Sequence, residues 1–188
     1  MIVLILPETS PDDDLLKEVQ RAEKSAVIAT YERYFASLYQ YTRLKVGDST
    51  LAEDIVSEVF VTLIESLGTA TAPRQHLRGW LFQVARSHIS KHIGDQRHLG
   101  AIELEEWMPA PHENNPEVQV MAMFDLQRVR HALRMLTNDH QEVLILRFGQ
   151  RLSLQETADV MGKSLSAVKS LQFRAVETLR GILVGGEA

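Results

Sequence analysis

Apolar residues recur every three or four positions along most of this chain, and that spacing predicts helices rather than strands. Between residues 15 and 44 the helical pattern is clearest at Val27, Ile28, Tyr31, Tyr34, Phe35, Leu38 and Tyr39; Gly47-Asp48 then breaks it. Leu51, Ile55, Val59 and Leu63 line the next stripe, widened by Val56, Phe60 and Ile64. Thr50 and Glu53 have capping-box spacing at its start, and Gly68 stands at its end. After the loop GTATAPRQH, a third pattern runs over 77–94. Its inner stripe is Leu77, Trp80, Leu81, Val84, His88 and Ile89, with Arg78, Phe82, Gln83, Arg86 and Ser87 mostly elsewhere.

No period emerges over 95–119, where Gly100, Pro109, Pro111 and Pro116 are spread among glutamates. That composition predicts an extended, flexible linker. Helical spacing resumes at Leu126, Val129, Leu133 and Leu136, then over 138–149 with Val143, Leu144, Leu146 and Phe148. Ser153 and Glu156 form a second capping box, and Ser164 is in place to cap a last helix running to Leu183. No run reads as a strand. The expected fold is all-α: two small helical domains joined by a flexible acidic linker. The divisions are a tail and lead-in helix (1–24), a first domain (25–95), the linker (96–124) and a second domain (125–184).

Charge sharpens this division. The net charge of −5 argues against a nucleic-acid partner, but its distribution argues for one. Arg74, Arg78, Arg86, Lys91 and Arg97 lie in a segment whose only acid is Asp95. The linker that follows is acidic, and the second domain is basic again. The chain has no cysteine, which removes disulfides, thiolate catalysis and cysteine-based zinc sites. The opening MIVLIL is too short for a signal peptide or a membrane span, and is expected to be a tail.

The strongest local signal is SLQETADVMGKSLSAVKSLQFR at 153–174. Ala158 permits a close helix crossing, and Gly162 can take the positive φ of a tight turn. Val168 and Leu171 face back into the pair. This is the register of a helix-turn-helix, whose second helix reads the major groove. The residues left facing outward are Ser164, Ser166, Lys169, Ser170, Phe173 and Arg174; Lys163, in the turn, suits a phosphate.

Basic residues around Trp80 and Phe82 suit single-stranded or opened DNA, although Trp80 also fits core packing. Asp54 and Glu58 share one helix face. They read as a solvated face or as a partner-binding face, since nothing in the chain completes a metal or acid–base site. No metal and no cofactor is assigned: His76, His92 and His98 lack carboxylates at ligand spacing, and His88 lies on the apolar stripe. The residues alone leave open an autonomous DNA-binding regulator or a helical adaptor that binds only protein.

Taken together, three runs resemble the extracytoplasmic-function (ECF) sigma factors of the bacterial sigma-70 family. YERYFASLYQYTRLKVGDSTLAEDIVSEVFVTLIE is similar to the domain that contacts core RNA polymerase, and LRGWLFQVARSHISKHI to the helix that reads the promoter −10 element. LTNDHQEVLILRFGQRLSLQETADVMGKSLSAVKSLQFRAVETLR is similar to the domain that reads the −35 element. The resemblance implies a transcription initiation factor, not an enzyme, acting in the bacterial cytoplasm. Its implied partners are core RNA polymerase (the clamp of the largest subunit and the flap of the second largest), promoter DNA and a separate anti-sigma factor, which can hold it at the membrane.

By the same resemblance, Asp54, Val56, Glu58, Val59 and Phe60 fall on the clamp-binding helix. Arg74, His76, Arg78, Arg86 and Lys91 fall near the −10 strand, and 68–76 on the loop that receives a flipped base. Lys163, Ser164, Ser166, Lys169, Ser170, Phe173 and Arg174 fall at the −35 helix. The chain departs from the family's pattern after VKS, where Leu171-Gln172-Phe173, Val176 and Glu177 replace a commonly arginine-rich stretch, and at His88 and His92.

Overall fold

The computed structural model describes residues 13–93 and 128–185. Among them all regular structure is helical. The N-terminal group comprises α1 (Asp13–Gln20), α2 (Lys24–Val46), α3 (Ser49–Ser66) and α4 (Leu77–Ile93). The C-terminal group comprises residues 128–134 (α5), α6 (Asn138–Leu144) continuing into a π-helix (Ile145–Gly149), α7 (Leu154–Met161) and α8 (Leu165–Gly185). The tail before residue 13 and the connector lie outside the described residues.

In the N-terminal group α2, α3 and α4 pack pairwise, and α1 lies on α2. Leu38, Ile55, Val59, Leu63 and Leu81 are completely buried between them. The break between α2 and α3 comes from Gly47, whose φ of 75° closes α2 through a bond to the Arg43 carbonyl. Asp48 then caps α3, its Oδ1 accepting from the Leu51 amide at 2.8 Å. This corrects the expected Thr50–Glu53 capping box. The turn at Gly47 leaves Asp48 extended two residues earlier, where its short carboxylate reaches a free amide of the first turn.

The C-terminal group is built on α8, against which α6 and α7 both pack. The helix expected over 138–149 changes pitch at Ile145. Its wider turn is closed by the Gln150 amide on the Ile145 carbonyl at 2.8 Å. Arg147 is buried in this turn and donates to the Leu152 carbonyl and, at 2.8 Å, to the Gln172 side chain, which ties the turn to α8. Burial lowers the Arg147 pKa, and Glu156 nearby opposes that shift.

The two groups meet directly: α4 packs on α7, and the buried side chains form one continuous core. This changes the reading of α4. Phe82 is completely buried and meets Tyr41 edge-on at 5.3 Å, whereas Trp80, Val84 and His88 are only partly buried. A single inner stripe describes a helix covered on one side, but α4 is covered on two.

Candidate nucleic-acid and partner-binding faces

The helix-turn-helix is assembled by local chemistry. Ser153 Oγ accepts from the Glu156 amide at 3.1 Å and Glu156 Oε2 accepts from the Ser153 amide at 2.7 Å, so the capping box at the head of α7 is complete. Gly162 ends α7 with φ 63°, a value at which any side chain would strain the backbone. Ser164 Oγ then accepts from the Ala167 amide at 3.2 Å and opens α8. Ala158 and Val168 are buried at the crossing, with Leu171 beside them.

Ser164, Ser166, Lys169, Ser170, Phe173 and Arg174 are all exposed on α8, and Phe173 is 68% accessible. An exposed aromatic thus lies beside an exposed lysine and arginine, so this side of α8 presents positive charge and apolar area together. Lys163 sits in the turn, 3.0 Å from Asp139.

The basic residues of 74–91 do not share one face. Arg74, His76 and Lys91 are exposed. Arg78 and Arg86 instead turn toward the C-terminal group. Arg78 forks onto Glu156, Nε to Oε1 at 3.2 Å and Nη2 to Oε2 at 3.0 Å, and Nη2 also donates to the Arg151 carbonyl at 3.1 Å. Arg86 Nε lies 3.9 Å from Glu142 Oε1. Burial alone would raise the Glu156 pKa, but the bonds from Arg78 and from the Ser153 backbone outweigh it and hold the carboxyl below its ordinary range.

Beside α4, the loop between α3 and α4 walls an open groove of about 520 Å³, lined among others by Glu65, Thr69, Thr71, Trp80 and Gln83. The loop is pinned from both sides. Trp80 Nε1 donates to the Thr71 carbonyl at 3.0 Å, and Gln20 Nε2 reaches the carbonyls of Pro73 (3.0 Å) and Arg74 (3.3 Å). Gln20 has no motif around it; only the return of α1 toward the loop reveals its part.

On α3, Asp54 is exposed and Glu58 half-buried, but Val56 and Val59 are completely buried and Phe60 nearly so. The apolar side chains that α3 presents are instead Val61 (52% accessible) and Ile64 (54%). The stripe containing Val56, Val59 and Phe60 is the one that packs on α2 and α4, so those three cannot also face outward. Glu58 Oε2 lies 2.8 Å from His88 Nδ1 and 3.4 Å from His92 Nε2. Both histidines therefore have a carboxylate partner, one that linear spacing conceals because it comes from another helix. Burial is the main influence on His88 and lowers its pKa, with Glu58 opposing. No group of three or more ligating side chains that would hold a metal occurs among the described residues.

Sigma-70 region 2 matches residues 30–99, and Sigma-70 region 4 matches residues 132–181. The chain is 34% identical over 171 residues to the ECF RNA polymerase sigma factor BldN of Streptomyces coelicolor, covering 90% of this chain and 65% of the relative's length. It is 30% identical over 156 residues to the ECF RNA polymerase sigma factor SigX of Bacillus subtilis, covering 80% of this chain and 79% of that one. Two solved structures share the fold. One is CnrH in complex with the cytosolic domain of CnrY (TM-score 0.65, 22% identity, 94% of this chain and 99% of that one). The other is the sigma factor RpoE in complex with the anti-sigma factor NepR from Bartonella quintana (TM-score 0.55, 19% identity, 82% and 94%). With both family regions in the expected order and a relative at 30% identity along most of its length, the chain belongs to the ECF sigma factors of the sigma-70 family.

Proposed function

We propose that this chain is a promoter-specificity subunit: it binds core RNA polymerase, directs it to a class of promoters and assists opening of the duplex. The observation that carries this reading is the polarity of α8. Val168 and Leu171 are buried, while Ser164, Ser166, Lys169, Ser170, Phe173 and Arg174 are exposed around a capped helix-turn-helix. In the −35 major groove, Lys169 meets a guanine edge or a phosphate, Phe173 a thymine methyl, and Lys163 and Arg174 phosphates.

The −10 strand is assigned to α4 and the loop before it. Arg74, His76, Arg78, Arg86 and Lys91 neutralise its phosphates, and the groove beside Trp80 takes an unstacked base. Asp54 and Glu58, joined by the exposed Val61 and Ile64 of α3, meet the basic clamp of polymerase. The working units are 25–95 and 125–184, joined by 96–124. The chain carries no catalytic centre of its own; polymerase supplies the chemistry. It works in the bacterial cytoplasm under an anti-sigma factor. Among the described residues no helix is long and apolar enough to cross a membrane.

Reconstituted transcription tests this. Core RNA polymerase with this chain should initiate from a subset of promoters. Lys169→Glu should lower that output roughly tenfold, the scale of one lost base or phosphate contact. Tight dimeric binding to a palindromic duplex, with no transcription from core polymerase, would overturn it.

A further inference from the structure

We infer that His88 and His92 of α4 are positioning residues for the polymerase-binding face of α3, holding the Glu58 carboxylate so that its availability to a basic partner depends on their protonation. The inference rests on the proposed reading of Asp54 and Glu58 as the acids that meet the polymerase clamp, and adds what controls one of them.

Three side chains from two helices meet here. Glu58 Oε2 lies 2.8 Å from His88 Nδ1 and 3.4 Å from His92 Nε2. His88 and His92 are about one helical turn apart and so reach the same carboxylate. They are also positions at which the chain departs from its family's pattern. The Glu58 side chain stays 45% accessible, enough for a partner to reach it, whereas that of His88 is only 15% accessible.

The hydrogen bonds around His88 define what a proton does. Thr62 Oγ1 gives its single hydrogen to the Glu58 carbonyl at 2.8 Å, so it can only accept from His88 Nε2, 3.1 Å away. The Glu58 carboxylate, on the other side of the ring, also only accepts. Both ring nitrogens are therefore placed to donate, which an imidazolium satisfies. A neutral ring donates through one nitrogen, and the Thr62 hydrogen must turn from the Glu58 carbonyl to Nε2 to complete the set.

The surroundings set the range. Burial is the largest influence and lowers the His88 pKa; Glu58 opposes that shift, and Lys91 and His92 reinforce it. Among the described residues no charged group of α2 or α7, the other helices packed on α4, acts on the ring. Asp54, one turn before Glu58 on the same face, is exposed. His88 is thus neutral at neutral pH and takes up its proton on mild acidification.

While the rings are neutral, Glu58 keeps its full charge for a basic partner. Once they are charged, that charge is offset at close range and the carboxylate is drawn to α4. Pairing of Glu58 with a clamp cation and protonation of the rings oppose each other, so affinity for polymerase falls as pH falls.

The test measures binding of the full chain to immobilised core RNA polymerase, at fixed salt, from about pH 8 to about pH 5.5. The comparison form is His88→Gln with His92→Gln, in which neither side chain can take a charge. The parent chain should lose about fivefold more affinity over that range than this variant, the scale of one exposed ion pair. Titrating groups of polymerase and the other histidines of this chain act on both forms alike, so the difference isolates the pair. A lost structural contact alone would lower affinity at every pH without changing the profile. Glu58→Gln removes the carboxylate on which the rings act. It should bind more weakly than the parent at the alkaline end and show the same flatter profile, which supplies the comparison should the histidine variant melt. Parallel profiles for the parent and both variants would overturn the role of the histidines and leave polymerase binding intact. Absence of binding by every form at every pH would overturn the polymerase reading, and the role of the histidines with it.

Discussion

Helices α4 and α8 both carry cations assigned to DNA, yet the fold treats them in opposite ways. The outward side of α8 is free: Lys169, Ser170, Phe173 and Arg174 are all exposed. Helix α4 is covered on two sides, and Arg78 and Arg86 point into a neighbouring domain. The difference lies in what surrounds each helix. Only one side of α8 is needed to close the helix-turn-helix, whereas α4 completes the N-terminal core and also forms the floor of the interdomain contact. A basic residue on a helix is therefore no guide to its availability until the neighbours of that helix are known.

Three experiments break or sharpen this contrast. The largest effect is expected from the same residue type on the two helices. Phe82→Ala on α4 should cost about 3–5 kcal/mol in urea unfolding, since the ring is completely buried against Tyr41. Phe173→Ala on α8 should stay within about 0.5 kcal/mol, because that ring lies on the surface. Comparable losses at the two sites would remove the distinction.

A smaller effect concerns how α7 is held beneath α8. Ser153→Ala removes one half of the capping box and should cost about 1 kcal/mol, read as a lowered melting temperature. A melting curve identical to that of the parent chain would mean that tertiary packing, not the cap, sets the start of α7.

The smallest effect is expected on α4 and depends on pH. Burial holds the His88 pKa below its ordinary value of 6.5, so the folded state binds the proton less readily than the unfolded chain. The resulting stabilisation is complete above the unfolded value and is lost as pH falls below it toward the folded value. Denaturation midpoints from about pH 5 to about pH 8 should therefore rise and then level off. His88→Gln should flatten the lower part of that rise. Glu58, Lys91 and His92 surround the ring, and an unaltered slope in the variant would show that His88 is not the source of the rise.

Much of the helical framework was legible from spacing and punctuation. Gly47, Gly162 and Ser153 act at short range, through φ and through amides a few bonds away, so their roles can be read without the fold. The misreadings have one physical origin. Thr50 gave way to Asp48 because the angle at which the chain leaves Gly47 decides which side chain meets the free amides. The period puts Ile64 with Val56, Val59 and Phe60 on one apolar stripe, and the resemblance puts those last three on the partner-binding helix; they are buried, while Ile64 is exposed beside Val61. The carboxylate shared by His88 and His92 comes from α3, and no linear motif links them.

By itself the sequence determined that this chain is helical, where its main breaks fall, that its final third forms a helix-turn-helix, and which family it resembles. Those properties follow from hydrophobic period, backbone preference and caps, all of them local. Only the tertiary structure decided which cations are free. Glu142 meets Tyr41 and Lys45 from about a hundred residues away, and Glu156 meets Arg78 from 78 away. Charge pairing depends on distance in space, and a list of residues carries no such distance.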